Sequence, residues 1–232
     1  MIELVVLDMA GTTINEHGNV YKALEFVVLD AGATLDAQDL QTWMGADKTE
    51  AIAALLELGG VTATPALVQQ QFAAFRRILA DFYAQTPPEP IAGVEDALRT
   101  LKARGIKIGL TTGFSRDVAG PILETLGWGI GEGELLDAVV TSDEVAAGRP
   151  APFMIHRVME ATGVQNVAAV VAGGDTVVDL LAGSNAGVLT LGVLTGALGR
   201  EHLEAHPHDW VLESVAELPS VLQNAEWGKN ER

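Results

Sequence analysis

The stretch IELVVLDMAGTT, residues 2–13, decides how this 232-residue chain folds. Its apolar first half is typical of a buried parallel strand, and a carboxylate, Asp8, follows that run directly. Similar apolar runs recur at residues 106–112, 138–141, 167–173 and 188–194. Helical patterns, such as residues 93–104 and 150–162, separate most of these runs. This alternation predicts an α/β fold with a doubly wound parallel sheet that helices cover on both faces.

The interval of residues 16–89 departs from this alternation. It contains no convincing strand, and helical segments are predicted there at residues 20–31, 36–43, 48–58 and 65–85. The proline-rich residues 87–90 have the composition of a stiff return linker. We therefore predict a core domain of residues 1–15 and 90–232, with a helical cap domain of residues 16–89 inserted after the first strand.

An apolar stripe runs along the last helical segment of the predicted cap. Its members recur at helical spacing, and they are Phe72, Phe75, Leu79, Phe82 and Tyr83. Such a stripe is typical either of the interior of a cap or of an interface between two copies. A homodimer through the cap is accordingly one of the two expectations for this surface.

The composition excludes several classes of function. The chain has no cysteine, which removes disulfides, thiolate nucleophiles and Cys-based metal sites, and fits a cytoplasmic enzyme. No uncharged apolar run approaches the roughly 18 residues that a membrane helix needs. The net charge of −17 argues against nucleic acid as a partner. An anionic substrate would need a local concentration of positive groups, because the overall field repels it.

Polar side chains stand at the ends of several predicted strands, where open α/β sheets bind their ligands. They are Asp8 after the first strand, Thr112 after the second, Arg149 before a helix, and Asp175 with Asp179 after the last long strand. A single aspartate or threonine at such a point is most often a helix cap or a turn residue. All of these groups in this order are more simply explained as one site.

These motifs resemble those of the haloacid dehalogenase superfamily of phosphotransferases, and the resemblance covers essentially the whole chain. Asp8-x-Ala10-Gly11-Thr12 is similar to its first motif, and Gly174-Asp175-x-x-x-Asp179 to its fourth. The resemblance implies a Rossmann-like core in which Asp8 takes up a phosphoryl group. It also implies a Mg²⁺ ion held by Asp8, Asp175 and the backbone carbonyl of Ala10, with Asp179 supporting the metal site. Oxygen ligands of this kind suit Mg²⁺.

The resemblance also assigns the groups that hold the substrate's phosphoryl oxygens. Thr112 is similar to the second motif and Arg149 to the third. Both are therefore expected to contact the non-bridging oxygens, where charge gathers during in-line transfer. Thr12 and the backbone N–H of Gly113 are expected to contribute to substrate binding.

The first motif lacks the second aspartate that most phosphatases of the superfamily carry. That carboxylate protonates the leaving group and later activates water, and Ala10 can do neither. Either catalysis is lost, or the leaving group needs no such acid. Ala10 followed by Gly-Thr-Thr, together with Arg149 in the third motif, resembles the phosphonoacetaldehyde hydrolase family. This resemblance implies cleavage of a carbon–phosphorus bond in a small phosphonate, with a cap lysine as a Schiff-base electron sink.

The cap supplies a lysine in the matching register. Met44-Gly45-x-x-Lys48 is similar to the family's cap motif, which implies that Lys48 forms the Schiff base and that Met44 and Gly45 help to bind substrate. Asp47 and Glu50 fit a capping box, so that Lys48 is predicted at the first helical position. The helix dipole disfavours a cation there by about 0.3–1 kcal/mol, which lowers the pKa of lysine by less than one unit. The charge of Asp47 acts in the opposite direction.

Three departures from the family pattern lie on the side of the substrate's carbon. The family's cap histidine is Ala51, the aliphatic residue before the lysine is Asp47, and the tyrosine after the second motif is Phe114. A phosphate-monoester phosphatase is therefore the alternative hypothesis, and a non-catalytic binder of phosphorylated metabolites is a third. A true dehalogenase needs no metal, so that Asp175 and Asp179 argue against it.

Overall fold

The computed structural model describes residues 1–43 and 45–224. Within these residues the strands are β1 Leu4–Asp8, β2 Ile14–Asn15, β3 Glu89–Pro90, β4 Lys107–Thr112, β5 Ala138–Thr141, β6 Val170–Gly174, β7 Leu189–Val193 and β8 Trp210–Leu212. The helices are α1 Asn19–Asp30, α2 Ala37–Thr42, α3 Lys48–Leu58, α4 Pro65–Gln85, α5 Val94–Ala103, α6 Arg116–Leu126, α7 Phe153–Thr162, α8 Val177–Ala186, α9 Arg200–Glu204 and α10 Leu218–Asn224. Short 3₁₀ turns occupy Ser142–Glu144, Val167–Ala169 and Val215–Glu217.

The main sheet of the described residues has six strands in the order β5-β4-β1-β6-β7-β8, and every neighbouring pair is parallel. β1 lies in the interior of the sheet, with Asp8 opposite Thr111 of β4 and Leu7 opposite Gly173 of β6. All five residues of β1 are buried, as expected for a strand covered on both faces. The α/β fold with a parallel sheet predicted from the sequence is confirmed.

Most predicted boundaries agree with the structure within one or two residues, and those of α3, α4 and β5 agree fully. The largest shift among the strands is in β6, which begins at Val170 instead of residue 167. The side chain of Asn166 accepts a hydrogen bond from the backbone N–H of Ala168, and this cap folds the three intervening residues into a 3₁₀ turn.

A two-stranded antiparallel ribbon stands where the sequence predicted only a linker. Ile14 pairs with Pro90 and Asn15 with Glu89, so the chain leaves the sheet and returns to it side by side. Pro90 is tolerated in this short ribbon because no hydrogen bond from its nitrogen is needed there. Helices α1–α4 lie between the two strands of the ribbon in chain order. The division into core and cap domains is consistent with this ribbon and stays a prediction.

The apolar stripe of α4 lies inside the helical region. Phe75 and Leu79 are fully buried, and the ring of Phe72 stacks on that of Phe75 with centroids 6.2 Å apart. Phe82 and Tyr83 are partly buried against the same hydrophobic cluster. The stripe therefore packs inside the helical region of α1–α4, and the homodimer stays a prediction.

No helix among residues 1–43 and 45–224 combines the length and the apolar character that a bilayer crossing requires.

We predict that Phe75→Ala lowers the free energy of unfolding by about 3–5 kcal/mol, because it opens a cavity in a fully buried site. Phe26→Ala is the matched control, since Phe26 of α1 is 56% exposed and should change stability by less than about 1 kcal/mol. Urea denaturation followed by circular dichroism measures both values. Equal losses for the two variants would contradict the burial of Phe75 in the interior of the cap.

Candidate active site

Asp8 ends β1 with its carboxylate in the protein interior. The residue is 5% exposed, and its Oδ1 accepts a hydrogen bond of 2.5 Å from Nη2 of Arg149. Burial raises the pKa of Asp8 to about 6, and the nearby charge of Asp179 adds to this, while Arg149 opposes it. A carboxylate with this pKa is largely anionic near neutral pH, and Asp8 lines a small cavity, as a nucleophile requires.

Arg149 joins two carboxylates that arrive from different strands. Its guanidinium is buried, and Nη2 contacts Asp8 while Nη1 lies 2.7 Å from Oδ1 of Asp179 in an ion pair. Nη2 also lies 3.3 Å from the hydroxyl oxygen of Thr111. A planar guanidinium can hold two anions in fixed directions, which the single ammonium of lysine cannot do. The contact fixes the distance between the ends of β1 and β6.

Asp179 is committed to local contacts at the start of α8. It accepts hydrogen bonds from the backbone N–H and the hydroxyl of Thr176, and Thr176 caps the helix in return. A Cβ on Gly174 would overlap the carboxyl group of Asp179, so this close approach requires glycine. With its oxygens used by Thr176 and Arg149, Asp179 is suited to orient the site instead of contacting a substrate.

Asp175 is buried in a narrow space that two glycines leave open for its carboxylate. It is 3% exposed, and its Oδ1 accepts a hydrogen bond of 2.9 Å from the hydroxyl of Thr12. A Cβ on Gly11 would lie 2.6 Å from Oδ2, and one on Gly196 would be closer still, so both glycines make room for the carboxylate. Burial raises the pKa of Asp175 well above its usual value, and the charges of Asp8 and Asp179 add to this.

The charge balance of the site fits a divalent cation. The buried charged side chains among the described residues are Asp8, Glu16, Asp175, Asp179, Arg149 and Lys48, that is, four acids and two bases. With all of them ionised two negative charges are left in a desolvated region, which a bound divalent cation would neutralise. No group of three or more His, Cys, Asp or Glu side chains is arranged as a metal site among the described residues. Two carboxylates with backbone carbonyl and water oxygens remain a donor set that Mg²⁺ accepts.

Lys48 begins α3, as predicted, and Asp47 caps that helix. Lys48 is 6% exposed, its Nζ donates to the carbonyl oxygen of Ala46 at 2.7 Å, and it lies 5.9 Å from the ring centroid of Phe114. Burial lowers the pKa of Lys48 to about 8, although the charges of Asp8 and Asp47 oppose the shift. A substantial fraction of this amine is therefore neutral near pH 8, which a nucleophilic lysine needs.

Lys48 and Asp8 line the same enclosed space, one from the helical segment and the other from the sheet. Thr112, Gly113 and Tyr21 also line this cavity, which has a volume of about 20 Å³. Such a volume holds about one water molecule. The cavity as it stands is therefore too small for a phosphonate or a phosphate ester.

The residues of the second motif offer hydrogen-bond donors at the end of β4. Thr112 is buried, and its Oγ accepts the N–H of Phe114 at 3.1 Å, which leaves the hydroxyl proton available for a ligand. A Cβ on Gly113 would lie 2.5 Å from the carbonyl oxygen of Ala46, so the loop before α3 rests directly on this glycine. The cap and the sheet are in contact at the point where the predicted substrate binds.

Three further positions around Lys48 were singled out in the sequence. Gly45, with φ +74°, lines the small cavity beside Lys48, whereas Met44 lies outside the described residues. Ala51 is fully buried in the hydrophobic cluster and adds no polar group to the site.

Tyr21 is a site residue that the sequence analysis missed. It lines the small cavity and also an adjoining cavity of about 470 Å³ that Asp175 borders. Burial raises the pKa of Tyr21 above its usual range, so the phenol is neutral and can donate a hydrogen bond. A lone tyrosine on an amphipathic helix carries no sequence signal that separates a site residue from a core residue.

Comparison with known proteins gives consistent matches. A family model described as haloacid dehalogenase-like hydrolase matches residues 2–187. A phosphonoacetaldehyde hydrolase from Bacillus cereus is 30% identical over 262 aligned positions, covering 97% of both chains. The same enzyme from Bacillus thuringiensis strain Al Hakam is 31% identical, again covering 97% of both chains.

Solved structures share the fold. A phosphonoacetaldehyde hydrolase-like protein from Oleispira antarctica superposes with a TM-score of 0.81 at 24% identity, covering 96% of this chain and 92% of that one. A predicted phosphoglycolate phosphatase from Haemophilus somnus gives a TM-score of 0.73 at 18% identity, covering 96% and 98%. At these identities the likeness concerns the fold alone.

We predict that Lys48→Met has a higher free energy of unfolding than wild type near neutral pH and that this difference decreases as the pH rises. The pKa of Lys48 is about 8 in the folded chain and 10.5 when unperturbed, so between these values the unfolded chain binds more protons and wild-type stability rises with pH. Lys48→Met should therefore be more stable than wild type below pH 8, and this advantage should shrink by up to about 3 kcal/mol by pH 10.5. Urea denaturation of both proteins from pH 7 to 10.5 measures the difference. A difference that is constant with pH would contradict a buried amine.

Proposed function

Because the chain belongs to the haloacid dehalogenase-like hydrolase family, we propose that it hydrolyses the carbon–phosphorus bond of a small phosphonate of the phosphonoacetaldehyde type. One observation carries this proposal. Lys48 from the helical segment and Asp8 from β1 are both buried on one cavity, with an amine whose pKa is about 8 and a carboxylate whose pKa is about 6. A phosphate ester has no use for an amine that forms an imine, whereas an aldehyde-bearing phosphonate uses both groups.

The phosphorus half of the reaction is carried by the strand ends. The Asp8 carboxylate attacks phosphorus and forms an aspartyl-phosphate, while Thr112 and the N–H of Gly113 hold the non-bridging oxygens. Arg149 keeps Asp8 oriented through their 2.5 Å hydrogen bond and adds positive charge beside the reacting group. Water then cleaves the acyl-phosphate, releasing inorganic phosphate and restoring the Asp8 carboxylate.

The carbon half of the reaction is carried by Lys48. Its neutral amine adds to the aldehyde, and the adduct takes up one proton and loses water to form an iminium ion next to the carbon that bears phosphorus. When the carbon–phosphorus bond breaks, its electron pair passes into the iminium and the carbon leaves as an enamine. No acid at position 10 is needed to protonate the leaving group, because the leaving group is not an alkoxide. Protonation and hydrolysis of the enamine release acetaldehyde and the free amine.

Asp8, Asp175 and the carbonyl of Ala10 are the residues that would hold Mg²⁺. The ion would neutralise charge between the attacking carboxylate and the anionic phosphonate. Asp175 is kept in position for this by the hydroxyl of Thr12, and Asp179 supports it through the turn after β6. We further expect a small-molecule substrate, no nucleic-acid or membrane partner, a cytoplasmic location and a homodimer through the cap.

A phosphate-monoester phosphatase is the alternative function. The observation that favours it is the loss of polar groups on the carbon side, where Ala51 is fully buried and Phe114 has no hydroxyl. In that case Lys48 would bind substrate charge, and turnover of sugar phosphates would survive Lys48→Ala.

We predict that sodium borohydride traps a covalent adduct between the protein and phosphonoacetaldehyde, and that Lys48→Arg abolishes it. Arginine keeps the positive charge but cannot form the imine. Mass spectrometry of the peptide containing residue 48 identifies the adduct. Lys22→Arg is the control, since Lys22 is an exposed lysine of the same helical region and should not alter trapping. Absence of any adduct at saturating aldehyde would refute the Schiff-base step.

We predict that wild-type protein binds Mg²⁺ and that Asp175→Asn weakens the binding at least about tenfold, because a neutral amide replaces one of two carboxylates. Isothermal titration with MgCl₂ measures this without reference to activity. Asp30→Asn removes an exposed aspartate at the end of α1 and should leave the affinity unchanged. Identical affinities for wild type and Asp175→Asn would exclude this carboxylate as a ligand.

A further inference from the structure

The carboxylate of Asp47 connects the helix that carries Lys48 with the end of a core strand. Its Oδ1 accepts the backbone N–H groups of Thr49 at 2.9 Å and Glu50 at 3.0 Å, which caps α3. Its Oδ2 accepts the hydroxyl of Ser142 at 2.7 Å. One carboxylate oxygen therefore bonds within α3, and the other bonds to the turn that follows β5.

Ser142 is a rigid anchor for this contact. It begins the 3₁₀ turn after β5, and a capping box between Thr141 and Glu144 fixes that turn. Its backbone N–H donates to the carbonyl oxygen of Phe114 at 3.0 Å, which ties the turn to the second-motif loop. The hydroxyl lies 3.2 and 3.3 Å from the carbonyl oxygens of Phe114 and Gly113, so the bond to the charged carboxylate is the shortest of its contacts.

The hydrogen bond from Ser142 to Asp47 constrains the position of Lys48. Asp47 directly precedes Lys48, and the first turn of a capped helix has little freedom to rotate. The preceding loop already rests on the sheet at Gly113. Fixing Asp47 therefore fixes the direction in which the Lys48 side chain enters the cavity.

We propose that Asp47 is a positioning residue whose hydrogen bond from Ser142 holds the first turn of α3, and with it Lys48, against the strand ends that carry Asp8. The inference rests on the proposed function only for its kinetic consequence. Electrostatically, Asp47 favours the charged form of Lys48, which is the wrong direction for a nucleophilic amine. Its presence in place of the aliphatic residue that the family resemblance implies is explained by this geometric role.

The test measures the accessibility of Lys48 by reductive methylation with formaldehyde and a borohydride reagent, followed by peptide mass spectrometry. Ser142→Ala removes the donor, and Asp47→Ser keeps a good helix cap whose side chain is too short to reach Ser142. Both should raise the labelling rate of Lys48 about tenfold, in line with one lost hydrogen bond to a charged group. The double variant should label no faster than either single variant.

Internal and matched controls separate positioning from general loosening. Lys102 is ion-paired with Asp137 in the core, and its labelling rate should stay constant in every variant. Asp36→Ser changes the cap of α2, which has the same chemistry, and should not affect Lys48. Asp47→Asn should label like wild type, because its amide can both cap α3 and donate to Ser142.

Two results would overturn the proposal, and a third separates it from the proposed function. Unchanged labelling of Lys48 in Ser142→Ala, or an equal rise at Lys102, would overturn the proposal. With phosphonoacetaldehyde as substrate, the same variants should lower kcat about tenfold with little change in KM. If wild type forms no borohydride adduct with this aldehyde but Lys48 labelling still responds to Ser142→Ala, the proposed function fails while the positioning contact stands.

Discussion

The buried contact of Arg149 with Asp8 and Asp179 is the constraint on which the site depends. These three buried charges have to be held at fixed separations, since an uncompensated charge in the interior destabilises the fold strongly. The guanidinium meets Asp8 at 2.5 Å and Asp179 at 2.7 Å, which ties the carboxyl end of β1 to the turn after β6. Asp175 lies on that same turn, and its excess negative charge makes the site suited to a cation. The groups that we propose for the phosphoryl chemistry thus lie at the ends of the sheet strands and in the loops that follow them.

The proposed carbon chemistry depends instead on contacts between the helical segment and the sheet. Lys48 gains its lowered pKa from burial, where the loop before α3 rests on Gly113 and the ring of Phe114 lies 5.9 Å from Nζ of Lys48. The same contact leaves a cavity of about 20 Å³, which is too small for a substrate. One arrangement therefore cannot serve both for entry and for reaction. On the proposed function, the helical segment would open for binding and on closing would bury Lys48 again, where the neutral amine is favoured.

The sequence predicted the parts of the site that local rules control. Asp8, Thr112 and Asp175 follow buried strands, and parallel strands bring their carboxyl ends to one edge. The first-turn position of Lys48 followed from the capping signal of Asp47. Tyr21 and Ser142 could not be found in this way, because their roles come from contacts between segments far apart in the chain. The ribbon of β2 and β3 was missed for the same reason, since each strand has only two residues and no periodicity of its own.

The departures from the family pattern acquire a physical meaning when these contacts are considered together. Asp47 replaces an aliphatic residue, yet it works against a neutral Lys48 only through a charge that Ser142 and two backbone N–H groups already solvate. Hydrogen bonds to a carboxylate disperse its charge, so its effect on the amine is smaller than its proximity suggests. Burial, the largest influence on Lys48, is increased by the same bond because it keeps the helix on the sheet. A residue that is unfavourable by charge alone can therefore favour the neutral amine through the structure that it stabilises.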